Sequence, residues 1–251
     1  MSTSPVLRVG LIGCGELAQV VHIPTLSFLS DCFRITYLCD VSKQALSHCE
    51  SKVLRGRPEI TSDPRKLCAS SNVDVVFVIS SDEYHAEHAI LALEHDKYVF
   101  AEKPLALNVR DIESIIYAEK NSKGKLMVGY MRRYAAAFLD GIKEIGGLDK
   151  ILYARVRDII GPNSYFVGQS GTFPKAFTDS DPMPSEDKAK RAQEMVEQGL
   201  QVECGVEVNE STTLLWRLLG GLGTHDLSAM REALGMPTKV LGTHLGFPFW
   251  K

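Results

Sequence analysis

At 251 residues, with 45% hydrophobic and 24% charged side chains, the chain can fill one large or two modest globular domains, which excludes disorder over its whole length. A formal net charge of -3 and a pI of about 6.2, with lysines and arginines scattered, give no electrostatic reason for a nucleic-acid or anionic-membrane partner. Residues 1–5 lack the pattern of a secretion signal and no run approaches the roughly 18 apolar residues of a membrane span, so a soluble cytoplasmic protein is expected.

In chain order, residues 6–12 read as a strand and 16–28 as a helix that Pro24 shortens or bends. Residues 33–39 form a second strand, and Ser42 caps a helix reaching residue 53. Asp63-Pro64 opens a short helix through Cys68. Residues 74–79, VVFVI after the aspartate, are apolar throughout, as a parallel strand covered on both faces must be. Residues 83–95 are helical, 98–101 a strand, and Asn108 caps a helix to about Asn121 before Gly124; residues 126–129 close the sheet. This rhythm, five placed strands of an expected six with intervening helices in about 130 residues, has the size of a doubly wound nucleotide-binding domain.

After Tyr130 the rhythm changes. Residues 135–145 read as a helix stopped by Gly146-Gly147, 150–159 as a long strand, and 161–184 as an extended loop or lid. Residues 185–200 and 214–234 are helical, the latter around a Gly-rich break, and 239–245 are a strand. The expected architecture is therefore α/β: a Rossmann domain over residues 1–130, then an α+β domain over 131–251 with an open, mostly antiparallel sheet. Two strands leave that sheet incomplete, and its unpaired edges are expected to carry a homo-oligomer contact. Six cysteines (Cys14, Cys32, Cys39, Cys49, Cys68, Cys204) form no C-x-x-C pair and read as reduced, structural thiols.

Gly13-Cys14-Gly15-Glu16-Leu17-Ala18 fits G-x-G-x-x-A between a strand and a helix. Gly13 permits the tight turn, Gly15 lets backbone N–H groups approach a pyrophosphate, and Ala18 allows close helix–strand contact, so residues 13–17 are candidate cofactor ligands. Asp40 ends the second strand about 20 residues further on, where an acidic residue accepts the ribose hydroxyls of NAD and repels a 2′-phosphate. No arginine follows it directly and the nearest base is Lys43, so NAD is expected, with NADP the alternative. The competing role for Asp40 is to cap the following helix, a role for which Ser42 also qualifies. Ala101-Glu102-Lys103-Pro104-Leu105 places an ammonium group just beyond a buried-looking strand, where a lysine can exchange a proton with a substrate hydroxyl.

The stretches VGLIGCGELAQVVHIPTL, DVVFVISSDEYHAEHAILALEHDKYVFAEKPLAL and GYMRRYAAAF together resemble the Gfo/Idh/MocA oxidoreductase family over the first 140 residues, while DIIGPNSYFVGQSGTFP and GGLGTHDLSAM resemble fungal members. The resemblance implies an NAD(P)-dependent oxidoreductase acting on a CH–OH group of a sugar, polyol or related cyclic alcohol. Lys103 is then the catalytic general acid/base, on a loop shaped by Glu102 and Pro104 whose Lys-Pro bond is often cis in the family. Ser80 and Ser81 stand where the family has Thr-Pro, near ribose or pyrophosphate. His85 matches a family histidine that is structural or near the cofactor, and Arg133, with Arg132 competing, matches an arginine that contacts cofactor or substrate.

Gly221-Leu222-Gly223-Thr224-His225 keeps the histidine of a family motif but has Gly221 where an aspartate is expected. His225 becomes the second catalytic candidate, to bind the substrate hydroxyl or share its proton. Asp226 would point about 100° away on a helix. Arg157-Asp158 either reach the substrate cleft or pair on a sheet surface. His85 and His88 lie one helical turn apart with no third ligand, so no metal is expected. Two alternatives remain: a non-catalytic dinucleotide-binding regulator of the same fold, favoured by Gly221, and an incomplete form of a longer enzyme.

Overall fold

The computed structural model describes residues 5–147, 150–157, 163–179 and 182–242. Six strands, β1 (Leu7–Ile12), β2 (Phe33–Cys39), β3 (Glu59–Thr61), β4 (Val75–Val78), β5 (Tyr98–Ala101) and β6 (Leu126–Val128), form one parallel sheet in the order β3-β2-β1-β4-β5-β6. The chain winds outward from β1 to β3, then returns to β4 on the other side of β1. That reversal opens a crevice at the carboxyl ends of β1 and β4, where ligands of doubly wound sheets bind.

Side-chain alternation divides the core between the two faces of the sheet. On β4, Val76 and Val78 join Leu67, Leu91, Leu93 and Ile115, whereas Phe77 packs with Val9, Leu11, Ile23, Leu38 and Leu46. The intervening helices α2 (Lys43–Glu50), α3 (Pro64–Ala69), α4 (His85–Glu94) and α5 (Val109–Lys120) fall where the apolar spacing places them. Ser42, Asp63 and Asn108 cap α2, α3 and α5 by accepting the backbone N–H of Ala45, Arg65 and Asp111. The first helix is divided: a π-helical turn, Ala18–His22, runs into α1 (Ile23–Phe28), with Pro24 in its first turn. The edge strand β3, three largely exposed residues, has too little apolar pattern to be read from sequence.

The molecule divides into two compact units, Met1–Gly129 with Ile160–Gly221, and Tyr130–Ile159 with Leu222–Lys251. This differs from the expected boundary near residue 130, because most of the segment assigned to a second domain folds onto the first. There, α7 (Asn163–Gln169) occupies part of the expected loop. The helix α8 (Pro182–Val196) is fixed by Tyr84, whose hydroxyl donates to Asp187 at 2.8 Å, and by the Arg191–Glu87 ion pair at 2.6 Å. A π-helical turn, Glu197–Glu203, meets the loop after β5 through Gly199, close to the Leu107 carbonyl, and α9 (Glu210–Leu218) packs on that turn. A Cβ at Gly220 would lie 2.1 Å from Leu107 Cδ2, so a larger residue there must turn the Leu107 side chain aside.

The second unit contains α6 (Ala136–Ile145), ended by Gly146 in the left-handed region, and α10 (Thr224–Leu234). The strand expected over 150–159 is irregular across 150–157, and that expected over 239–245 is irregular across 239–242; residues 158, 159 and 243–245 lie outside the described residues. Leu152 and Tyr153 are 98% and 81% exposed, so the alternation that suggested a strand has no facing surface to bury it. Among the described residues, therefore, the expected second sheet is not found, and no helix is long and apolar enough to cross a membrane.

Candidate active site

The glycine turn sits at the sheet's crevice. Gly13 has φ +108°, and a Cβ there would lie 2.4 Å from the Ile79 carbonyl oxygen. Its N–H donates to Cys39 O at 2.8 Å, joining β1 to β2 just where the turn begins. By contrast, Gly15, Glu16 and Leu17 are exposed, and a Cβ at Gly15 would meet nothing within 4 Å. The turn is thus packed tightly against the protein inside and open outside, a cradle that fits a dinucleotide pyrophosphate.

Asp40 lies beside this turn. One carboxylate oxygen accepts the Cys14 N–H at 2.7 Å and the other the Ser42 N–H at 2.8 Å. Ser42, not Asp40, caps α2, which settles that competition. Because each carboxylate oxygen has two acceptor positions, Asp40 retains capacity for ribose hydroxyls. A cavity of about 460 Å³ runs from Gly13 and Asp40 past Ser80 and Ser81 to Tyr84, His88 and Asp187. This is within the size range of cofactor clefts.

Two rings of the far wall, His88 and Tyr84, are uncharged at neutral pH. Ser80 Oγ hydrogen-bonds His88 Nδ1 at 2.9 Å, and burial pulls the His88 imidazole down to about 4, so the ring is neutral at neutral pH. Its ring stacks on Tyr84 at a centroid distance of 5.8 Å. Burial, then the hydrogen bond to Asp187, pushes the Tyr84 phenol up to about 12, keeping it a donor.

The lysine loop continues from β5. Glu102 N–H donates to Val78 O at 2.9 Å, extending the β4–β5 ladder, and the Lys103–Pro104 peptide is cis. Lys103 is half-buried, and its Nζ donates to Gly221 O at 3.1 Å. The carbonyl of the residue standing in place of the expected aspartate therefore holds the amine. Glu102 Oε1 meets His22 Nε2 at 3.0 Å, its other oxygen accepts the Lys103 N–H at 3.3 Å, and His22 sits edge-on to Phe77 and Phe100. Burial alone would raise the Glu102 carboxyl, but the His22 hydrogen bond and the Lys103 N–H and charge outweigh it and hold the group below its ordinary value.

That direction sets a pH dependence. A carboxyl lowered on folding stabilises the protein above its unfolded value near 4.5 and loses that contribution as pH falls through its lower folded value. Glu102→Gln is expected to cost about 1–3 kcal/mol at neutral pH. It should also flatten the acid limb of the thermal unfolding midpoint, measured by circular dichroism from neutral to acid pH. An acid limb identical to wild type would show that the Glu102–His22 pair contributes nothing.

His85, expected near the cofactor, has both ring nitrogens committed to the protein: Nδ1 lies 2.7 Å from Pro104 O and Nε2 2.8 Å from Ser80 O. At 1% exposure it joins the end of β4 to the lysine loop and offers no nitrogen to a ligand. Four of the six cysteines are buried and all are free thiols; burial pushes Cys39 and Cys68 up to about 12. Among the described residues no group of three His, Cys, Asp or Glu side chains could hold a metal.

In the second unit, His225 opens α10 and is 5% exposed, edge-on to Tyr130, whose hydroxyl meets Thr224 Oγ1 at 2.7 Å. Arg132 pairs with Asp226 at 3.2 Å. Arg133, expected at the cofactor, forms an ion pair with Glu232 within this unit. Of the Arg157-Asp158 pair, Asp158 lies outside the described residues. Sequence reasoning missed His22, Tyr84, Asp187 and a segment, residues 174–179, that runs from Gln19 past His48 to the start of α2.

Residues 7–130 match the family described as an oxidoreductase family with an NAD-binding Rossmann fold. The chain is 31% identical over 169 residues to myo-inositol 2-dehydrogenase of Thermotoga maritima, covering 66% of this chain and 49% of that protein. The crystal structure of myo-inositol dehydrogenase from Lactobacillus casei in complex with NAD(H) and myo-inositol is 27% identical. It aligns with a TM-score of 0.52 over 56% of this chain and 41% of that one. That of myo-inositol 2-dehydrogenase from Lactobacillus plantarum aligns with a TM-score of 0.60 over 92% of this chain and 57% of that one; at 19% identity the likeness is one of fold. The chain spans about half the length of the Thermotoga relative it matches. Through residues 7–130, with the glycine turn, Asp40 and the Glu-Lys-Pro loop in place, the chain belongs to the Gfo/Idh/MocA oxidoreductase family.

Proposed function

We propose that this protein is an NAD-dependent dehydrogenase acting on a CH–OH group of a cyclic polyol, with Lys103 as general acid/base. The observation that carries the reading is the Lys103 amine, half-buried and held by Gly221 O at 3.1 Å, in the same unit as the glycine turn. The inositol dehydrogenases among its relatives supply the substrate class. The bound nicotinamide would supply the hydride acceptor.

Each residue then has a defined task. Gly13 and Gly15 bring backbone to the pyrophosphate, Asp40 binds ribose hydroxyls, and Ser80 and Ser81 line the adenosine side of the cavity. Lys103 takes the hydroxyl proton as the C–H bond breaks and returns it in the reverse direction, passing it on to water. Glu102, fixed by His22, keeps a negative charge behind the amine. The test is a screen of inositols, other cyclic polyols and sugars with NAD, following reduced cofactor by absorbance. Turnover with none of them, despite measurable NADH binding, would overturn the enzymatic reading.

Gly221 favours one alternative, a dinucleotide-binding regulator without turnover, because the expected carboxylate is missing. The structure leaves room for it: a Cβ at Gly221 would meet nothing within 4 Å. In an active enzyme, Gly221→Asp is expected to raise kcat/KM by about 10-fold or more, the worth of one charge-assisted hydrogen bond to substrate. An unchanged or lower kcat/KM at an unaltered unfolding midpoint would show that the glycine is the better residue here.

A further inference from the structure

The segment missed by sequence reasoning crosses the outer edge of the dinucleotide crevice at defined points. Gln19, 1% exposed, holds both backbone groups of Lys175: the Lys175 N–H donates to Gln19 Oε1 at 2.8 Å and Gln19 Nε2 donates to Lys175 O at 3.1 Å. Phe177 tucks against His48 with ring centroids 5.5 Å apart. Two residues on, Asp179 reaches the first turn of α2. One carboxylate oxygen accepts the Gln44 N–H at 3.0 Å and the other accepts the Ser42 hydroxyl. Ser42 also donates its own N–H to Asp40 at 2.8 Å, so two carboxylates meet at one serine.

A helix N-terminus with a serine hydroxyl and free N–H groups is a ready phosphate site. In dinucleotide folds the residues following the second strand are also those that hold the ribose 2′ substituent, an acidic side chain taking the hydroxyl and a basic one the phosphate. Here both donors of that site are taken by the chain's own anion. We infer that Asp179 fills the latent 2′-phosphate subsite beside Asp40 and so acts as a specificity-determining residue that excludes NADP in favour of NAD.

A 2′-phosphate could gain Ser42 Oγ and Gln44 N–H only by displacing Asp179, and would then lie against Asp40 as well. The 2′-hydroxyl of NAD needs neither donor. Ser42, with the Gln44 N–H, holds the Asp179 carboxyl below its ordinary value, so the blocking charge persists well below neutral pH. The inference rests on the dinucleotide-binding reading and adds to it a residue far away in sequence.

The test compares the dissociation constants of NADH and NADPH, by cofactor fluorescence and calorimetry, for the wild-type chain, Asp179→Ala and Asp179→Asn. NADPH is expected to bind the alanine variant at least about 10-fold more tightly than wild type, with NADH within about threefold. The asparagine variant, uncharged but still able to accept from Gln44, should show a smaller gain of the same sign. Unchanged NADPH affinity in both variants, or a parallel loss of NADH and NADPH, would overturn the inference while leaving the cofactor reading intact. A wild-type chain that binds neither nucleotide would overturn both.

Discussion

Lys103→Ala is expected to lower kcat for polyol oxidation by about 10²–10⁴-fold while leaving the NADH dissociation constant within a few-fold of wild type. The amine donates to Gly221 O at 3.1 Å and sits on a loop held independently by the Glu102–His22 pair and by His85 on Pro104. Its removal should therefore spare the fold and the cofactor cradle. Lys103→Arg separates the two roles open to a cation at this position. Arginine keeps the charge and the donors but does not give up its proton, so a merely electrostatic lysine would be rescued and an acid/base would not. Steady-state kinetics of the three proteins decide the matter, and an arginine variant with near wild-type kcat would remove proton transfer from Lys103.

Gly13→Ala is the second large effect, and it acts on fold and ligand together. At φ +108° an L-residue costs about 1–3 kcal/mol in the backbone alone, and the new methyl would lie 2.4 Å from Ile79 O, so β1 and β4 must part where the crevice begins. At roughly 2–4 °C per kcal/mol for a chain of this size, the unfolding midpoint should fall by several degrees. NADH binding should be lost with it. Gly15→Ala provides the contrast: with nothing within 4 Å, it should leave the midpoint unchanged yet weaken NADH by denying the pyrophosphate its close approach to the backbone. Equal NADH affinity in Gly15→Ala and wild type would show that the dinucleotide does not lie over this turn.

What could be read from the sequence was whatever repeats or has a fixed spacing. The apolar runs and capping residues Ser42, Asp63 and Asn108 located most of the first unit, and the glycines and Asp40 announced the crevice because a tight turn and an acidic strand end tolerate few alternatives. The three-residue edge strand β3 carried no such signal. Nor did His22, whose pairing with Glu102 spans 80 residues, or Asp179, whose contact with Ser42 spans 137. The first pairing depends on which strands lie side by side in the sheet and the second on how the segment before α8 folds back, and local periodicity encodes neither.

In the second half, period-two alternation suggested strands that the described residues do not form, since alternation alone cannot supply a partner strand. Likewise, Arg133 matched a motif, but a guanidinium joins whichever carboxylate lies within reach, here Glu232.

The most direct measurement is a crystal structure of the chain with NADH bound. The expected result is a pyrophosphate lying over Gly13 and Gly15, the adenosine ribose on Asp40, and the nicotinamide C4 beside Lys103 Nζ. A dinucleotide bound elsewhere, or one seated in the crevice with the Lys103 amine turned away from its nicotinamide, would contradict the assignment of Lys103 as the acid/base.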